Sequence, residues 1–174
     1  MKSLITYGSQ YGTTKLYAEK LAQMTKIPVA DYEDIKELAG YESVIHFGGL
    51  YAGGITGLKR IVKLLPQNVK FIIVTVGLAD VSDEKNVSNI KNALKRQVPE
   101  GILKNALIFH LRGGIDYKEL NFKHKMMMAF LFSRLKKLPA EKKTPEINAL
   151  IETYNSKVDF VDYTSLDKIV AAIK

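Results

Sequence analysis

A loop of hydroxyl-bearing residues and glycine near the N-terminus has the composition of a phosphate-binding site. It contains Ser9, Gln10, Tyr11, Gly12, Thr13 and Thr14. The loop follows a short β-branched and aromatic run, residues 2–7, and precedes apolar residues at helical spacing, residues 13–24. Hydroxyl groups, backbone exposed by glycine and helix N-terminal N–H groups all favour an anionic oxygen. The alternative is an ordinary helix cap, in which Thr13 or Thr14 satisfies the first N–H groups.

The spacing within this loop distinguishes it from two other phosphate-binding motifs. Lys15 does not follow a glycine as the G-x-x-x-x-G-K-[ST] pattern of nucleoside triphosphate sites requires. The G-x-G-x-x-G pattern that binds the pyrophosphate of a dinucleotide is also absent from the loop. The sequence therefore fits a monophosphate ester better than either.

The rest of the chain predicts a scaffold of alternating strands and helices. We expect strands at residues 2–7, 28–32, 43–48, 69–76 and 105–111, and helices at 13–24, 55–65, 83–97 and 165–173. The near-continuous apolar run at 69–76 is typical of a parallel strand covered on both faces. This alternation predicts one α/β domain over residues 1–174, with a doubly wound parallel sheet.

Two further loops are expected at the same edge of this sheet, because the carboxyl ends of parallel strands converge there. The loop after the third strand contains Gly49, Leu50, Tyr51, Ala52 and Gly53. The loop after the fourth contains Val76, Gly77, Leu78, Ala79 and Asp80. Taken alone, Tyr51 could be a surface aromatic in a glycine-rich loop, and the second loop could be an ordinary strand exit.

The segment from Tyr7 to Thr14 resembles the flavodoxin phosphate loop, and the glycine-rich loop around Tyr51 continues the resemblance in register. The resemblance implies a flavodoxin-like five-stranded parallel sheet of order 2-1-3-4-5 with FMN as cofactor. It further implies that residues 9–14 hold the FMN phosphate, that Tyr51 packs on the isoalloxazine, and that N–H groups of residues 76–80 meet its pyrimidine edge. Gly113 and Gly114, in the loop after the fifth strand, are also assigned to the cofactor site.

The composition excludes several other classes of chemistry. The chain has no cysteine, which excludes disulfides, thiol nucleophiles and cysteine-ligated metals. The histidines His46, His110 and His124 are too dispersed to suggest a metal site, and no Ser/His/Asp arrangement is evident. We therefore assign no catalytic residue and no metal ligand, so redox chemistry requires a bound cofactor. The start lacks a signal peptide's apolar core and no apolar run reaches membrane-spanning length, so we expect a cytoplasmic protein.

A basic insertion is predicted near the fifth strand, at roughly residues 117–143. The chain has a net charge of +8, and residues 112–143 carry nine basic against three acidic side chains. The apolar residues of this stretch have near-helical spacing: Phe122, Met126, Met127, Phe130, Leu131 and Leu135. Such a basic amphipathic helix suits an anionic membrane surface or an apolar ligand site. The alternative is that these residues close the core and the lysines are solvated. Nucleic acid is disfavoured, because the aromatics do not alternate with arginine.

The stretches at residues 111–120 and 126–131 resemble the flavodoxin-like, menaquinone-dependent protoporphyrinogen IX dehydrogenases. That resemblance implies oxidation of protoporphyrinogen at flavin N5, with electrons passed to menaquinone. The basic insertion adds the expectation of peripheral contact with the inner membrane face. Two departures from short flavodoxins, the basic charge and the lack of Trp, weigh against a simple electron shuttle. The alternatives that stay open are a basic flavodoxin acting as an electron carrier between proteins and a flavin-free flavodoxin-like module.

Overall fold

A five-stranded parallel sheet forms the centre of the computed structural model, which describes residues 1–173. Its strands are β1 (Ser3–Gly8), β2 (Val29–Asp31), β3 (Ser43–Tyr51), β5 (Lys70–Gly77) and β6 (Leu107–Arg112). Their order is β2-β1-β3-β5-β6, and the two-residue β4 (Gly54–Ile55) pairs antiparallel with the end of β3. The α/β class and the predicted order 2-1-3-4-5 are thus confirmed; β4 only shifts the numbering.

Four helices correspond to those predicted from apolar spacing. They are α1 (Thr13–Thr25), α2 (Leu58–Leu64), α3 (Glu84–Gln97) and α7 (Leu166–Ile173). α2 begins three residues later than expected, because Ile55 belongs to β4 and Gly57 adopts a left-handed conformation at the helix cap. A short α4 (Glu100–Asn105) after α3 was not predicted.

The sheet is covered on both faces because side chains alternate along each strand. On β1, Leu4 belongs to one buried cluster and Ile5 to the other; on β5, Ile73 and Ile72 divide in the same way. The first cluster is completed by side chains of α2 and α3, and the second by side chains of α1 and α7. This doubly wound packing directs the carboxyl ends of β1, β3, β5 and β6 toward one edge.

The chain makes a long excursion from this sheet after β6. A small antiparallel ribbon, β7 (Gly114–Asp116) and β8 (Lys157–Asp159), opens and closes it. Between them lie α5 (Phe122–Lys136), a 3-10 turn (Ala140–Lys142) and α6 (Pro145–Glu152). The excursion is therefore longer than the predicted insertion at 117–143, and it contains a second helix.

Apolar residues occupy two faces of α5. Met128 is fully buried, and Leu131 and Leu135 pack beside it against a third cluster that includes Leu78, Ile115, Tyr117 and Leu150. A second set one helical turn apart is exposed, and we call it the α5 apolar stripe: Phe122 at 78%, Met126 at 58% and Phe130 at 65%. One face of α5 thus closes a core while the other leaves apolar side chains in solvent.

Candidate cofactor site

The carboxyl ends of four parallel strands meet around a narrow crevice. Its lining consists of Gln10, Tyr11, Thr13, Thr14, Gly49, Leu50, Val76, Gly77, Leu78, Gly113, Gly114 and Glu146. Every residue of this set except Glu146 was predicted from the sequence as a cofactor-binding residue. Loops that are far apart in the chain therefore converge at the edge where open α/β sheets bind ligands.

The N-terminus of α1 is not capped by a side chain. Gly12 occupies the cap position with φ of 92°, and its N–H donates to Ser9 Oγ at 3.0 Å. Thr13 Oγ1 instead donates to the carbonyl of Gly114 at 3.2 Å, which ties the loop to β7. The interpretation of Thr13 or Thr14 as a plain helix cap is therefore wrong, and first-turn N–H groups are left for an anion.

Glycines allow neighbouring strands to approach the hydroxyls of this loop closely. A Cβ at Gly113 would lie 2.8 Å from Thr13 Oγ1, and one at Gly49 would lie 3.0 Å from Thr14 Oγ1. Thr14 is itself buried, so its hydroxyl cannot move aside into solvent. The two glycines thus keep the floor of the crevice narrow around the threonines.

Residues 49–53 form a hairpin, although the sequence predicted a loop. Gly49, Leu50 and Tyr51 continue β3, and Ala52 and Gly53, with φ of 48° and 77°, form the turn into β4. Two consecutive positive φ values are typical of the tight turns that join twisted strands. The hairpin carries the Tyr51 ring to 6.3 Å from the Tyr11 ring in an edge-to-face arrangement.

A buried histidine anchors this hairpin. His46 Nε2 lies 2.9 Å from the carbonyl oxygen of Thr56, and Nδ1 lies 2.9 Å from Thr6 Oγ1. A carbonyl only accepts, so Nε2 carries the proton and Nδ1 accepts from the Thr6 hydroxyl. Burial lowers the His46 pKa to about 4. The backbone N–H and the hydroxyl of Thr56 both donate to Gly49, each at 3.0 Å, so the neutral imidazole helps to fix the end of β3.

Glu146 of α6 closes the crevice, and the sequence did not identify it. Its carboxylate accepts from Leu78 N–H at 2.9 and 3.0 Å and from Ala79 N–H at 2.9 Å. Burial raises the Glu146 pKa, while these hydrogen bonds and nearby Arg112 oppose the rise. Locally, Glu146 follows the cap residue Thr144 and Pro145, so its sequence context indicates only an acid in a first helical turn.

The loop after β5 is held from both sides. Arg112 Nε donates to the carbonyl of Leu78 at 2.8 Å, and its guanidinium lies 3.6 Å from the centre of the Phe160 ring. Asp80 points elsewhere: it is exposed and accepts from Ser82 N–H at 2.8 Å and Ser82 Oγ at 2.7 Å, which lowers its pKa. The N–H groups of Leu78 and Ala79, predicted for the flavin, are thus bonded to Glu146.

A cleft of about 660 Å³ adjoins the crevice and shares Tyr11, Leu50 and Glu146 with it. Its walls come from α3, the β3–β4 hairpin, α5 and α6. The predicted residues Tyr51, Ala52 and Gly53 line this cleft. Ser9, Gly12, Ala79 and Asp80 line neither space. The excursion after β6 therefore builds half of a ligand-sized cavity beside the predicted cofactor site.

Two features typical of other functions are absent from the described residues 1–173. Within residues 1–173, no three His, Asp or Glu side chains lie together in a way that could hold a metal ion. No helix in that same part of the chain is both long enough and apolar enough to cross a bilayer.

Together, the doubly wound sheet and the hydroxyl-rich loop at its carboxyl edge define a phosphate-ligand-binding α/β protein. The sequence matches the flavodoxin domain family over residues 4–142, and the chain belongs to that family. Family membership confirms the predicted cofactor, FMN. The match ends at Lys142, so α6 and Glu146 lie beyond it.

Solved structures of flavodoxins and flavoproteins are similar to this chain at low identity. A flavoprotein from Lactobacillus acidophilus in complex with FMN is 14% identical, with a TM-score of 0.40, covering 64% of this chain and 91% of its own. A mutant flavodoxin from Pseudomonas aeruginosa is 18% identical, with a TM-score of 0.41, covering 77% and 96%. Oxidised flavodoxin 1 from Bacillus cereus is 16% identical, with a TM-score of 0.40, covering 80% and 100%. No curated protein matches the sequence significantly.

Proposed function

We propose that this protein is an FMN-dependent oxidoreductase that oxidises protoporphyrinogen and passes the electrons to a quinone. The observation that carries the proposal is the 660 Å³ cleft beside the crevice, in which the β3–β4 hairpin would contact the flavin ring while the walls from α3, α5 and α6 leave room for a substrate. An electron carrier between proteins needs only an exposed flavin edge. A cavity of this size beside the crevice supports a small-molecule substrate instead.

The residues of the crevice fit FMN at its phosphate end. The uncapped first turn of α1 and the hydroxyls of Ser9 and Thr14 would hold the phosphate, with Gln10, Tyr11 and the backbone of Thr13 completing the loop. Tyr51 on the β3–β4 hairpin would lie against the ring system. When bound, FMN supplies a redox centre at N5, and the chain binds and orients it.

Glu146 is the one crevice residue that opposes this fit. Its carboxylate uses the Leu78 and Ala79 N–H groups, which would otherwise donate to the pyrimidine edge of the flavin. We propose that the flavin competes with Glu146 for these donors, and that Glu146 turns away when the site is filled. An uncharged side chain at position 146 would weaken the competition and remove the negative charge.

The α5 apolar stripe supports peripheral contact with an anionic membrane. Phe122, Met126 and Phe130 are exposed, and cationic side chains such as Lys123 and Lys125 lie beside them. An exposed apolar stripe flanked by lysines is typical of helices that lie in the interfacial region. Phe130 belongs both to the stripe and to the cleft lining, which would bring a membrane-dissolved quinone near the flavin. We therefore propose a cytoplasmic protein at the inner membrane face.

The alternative of a basic electron carrier is supported by family membership and by the absence of an assigned catalytic side chain. A flavin-free module is disfavoured by the uncapped turn of α1. The discriminating experiment is anaerobic incubation of the FMN-loaded protein with protoporphyrinogen, a menaquinone analogue and anionic vesicles. We expect porphyrin fluorescence to rise well above heat-killed and FMN-free controls. Equal rates in all three would contradict the oxidoreductase proposal and favour the carrier.

A further inference from the structure

Two arginines line the cleft without an acidic partner. Arg96 comes from α3 and Arg134 from α5, so they are contributed by different walls of the cleft. The ion pairs among residues 1–173 all involve other charged groups. Arg96 Nη2 donates only to the carbonyl of Gly53 at 3.2 Å, and the Arg134 guanidinium lies 5.7 Å from the Phe130 ring centre. Both side chains therefore retain donors for an anionic group.

The rest of the cleft lining is mostly apolar. It includes Ile90, Ala93, Leu131, Leu135, Ile147 and Leu150. Tyr11, Tyr51 and Phe130 add aromatic rings at the same cavity. The one acidic lining residue, Glu146, is already bonded to Leu78 and Ala79 at the crevice end. The cleft thus combines an apolar interior with two positive charges, and its one carboxylate lies at the crevice end.

We propose that the part of this cleft between α3 and α5 is the substrate site and that it binds a bulky apolar molecule carrying at least two carboxylates, with Arg96 and Arg134 as their partners. The apolar body is buried between α3 and α5, where the aromatic rings offer stacking surfaces. Guanidinium groups suit carboxylates because they donate two parallel, charge-assisted hydrogen bonds. Both arginines are exposed to solvent, so neither requires a protein counter-ion. This inference rests on the proposed function for the identity of the cleft as a substrate site.

Binding of a porphyrin diacid tests the inference without requiring turnover. The probes are protoporphyrin IX and its dimethyl ester, titrated against the FMN-loaded protein in one mild detergent and followed by porphyrin absorbance. We expect Arg96→Gln and Arg134→Gln each to weaken diacid binding about fivefold, and the double variant by more than tenfold. The ester lacks the charges, so its affinity should not change in any variant.

Matched variants separate the local contacts from net charge. Lys95→Gln and Lys137→Gln each remove one exposed positive charge from the same regions of the chain without touching the cleft lining. They should leave diacid affinity within twofold of the original. Arg96→Lys and Arg134→Lys keep the charge but lose the two-pronged geometry, and should show intermediate losses. FMN affinity, measured in parallel, should stay constant across all variants.

The outcomes also distinguish this inference from the proposed function. Equal affinity for diacid and ester would overturn the arginine site even if protoporphyrinogen is oxidised. So would a loss of diacid affinity in Lys95→Gln and Lys137→Gln as large as in the Arg→Gln variants. Arginine-dependent binding of the diacid with no oxidation would contradict the proposed reaction and leave the carboxylate site standing.

Discussion

The Glu146 carboxylate accepts hydrogen bonds from the backbone N–H of Leu78, with its two oxygens 2.9 and 3.0 Å from the nitrogen, although the two residues are 68 positions apart in the sequence. This contact joins α6 of the excursion to the loop that follows β5. The excursion and the cofactor crevice are therefore one structural unit, and deleting the excursion would also disturb the crevice. Substitutions, rather than deletions, are the appropriate tests.

Replacing Glu146 by Gln should tighten FMN binding. The amide keeps the size of the side chain but removes the negative charge and weakens its hold on the Leu78 and Ala79 N–H groups, so the flavin meets less competition. We expect the FMN dissociation constant to fall about threefold to tenfold, measured by quenching of flavin fluorescence. Glu152→Gln, on the exposed part of the same helix, is the control and should change nothing. Weaker binding in Glu146→Gln would mean that Glu146 contacts the cofactor favourably.

Acid should destabilise the protein through His46. Its folded pKa of about 4 lies below the ordinary value of 6.5, so the unfolded chain takes up the proton first as the pH falls. The stabilising contribution is complete above pH 6.5 and is lost as the pH falls toward 4, amounting to about 3 kcal/mol. Urea unfolding across this range measures it. His46→Gln should be less stable but show a flatter pH dependence; an unchanged slope would assign the effect to other groups.

The turn of the β3–β4 hairpin should be improved by Asn at position 52. Ala52 has φ of 48°, a left-handed conformation that strains most residues with a Cβ, whereas Asn tolerates it far better. We expect Ala52→Asn to raise the unfolding free energy by about 0.5–1 kcal/mol. Ala52→Val is the opposing variant, because a β-branched side chain at positive φ is more strained still. If both variants shift the melting temperature in the same direction, the hairpin geometry described above is not the cause.

Neutralising lysines around α5 should weaken membrane contact. Changing Lys123, Lys125, Lys136 and Lys137 together to Gln removes four charges at about 1 kcal/mol each near an anionic surface. Co-sedimentation with vesicles of anionic lipid should fall sharply, most visibly at low salt. Replacing Lys85, Lys91, Lys95 and Lys104, which lie on α3 and α4, is the charge-matched control and should have a smaller effect. Equal losses in both sets would indicate attraction by net charge alone.

Local sequence signals were sufficient to predict the sheet and most of the crevice. The apolar run of β5 is one unbroken stretch of sequence, and so is the loop from Ser9 to Thr14. Apolar periodicity and turn composition indicate the structure of such stretches directly. The order of the strands was predicted from the resemblance of this loop to the flavodoxin phosphate loop. The assignment of roles to individual crevice residues stays a prediction.

Contacts between distant segments could not be predicted in this way. Gly48 and Gly49 indicate a strand end, yet β3 continues to Tyr51 because its last two residues pair with β4, and a Cβ at Gly48 would clash with Ile55. Glu146 has the local context of a helix start, and only folding brings it to Leu78. Apolar spacing in α5 was recognised, but the division between the buried Met128 and the exposed Phe122 depends on α6 and β7, which pack on one side only.

The proposed reaction and the proposed substrate site both depend on the binding of FMN to the loop at the start of α1. Titration of FMN against the purified protein tests this binding most directly. The original chain and a variant with Ser9→Ala and Thr14→Ala are compared by flavin fluorescence quenching, with Thr25→Ala, at the opposite end of α1, as the control. Hydrogen bonds to a charged group contribute roughly 1.5–3 kcal/mol, so the double variant should bind at least tenfold more weakly. The control should match the original. Equal affinities in all three proteins, or no binding by the original chain, would contradict the assignment of the FMN phosphate to this loop.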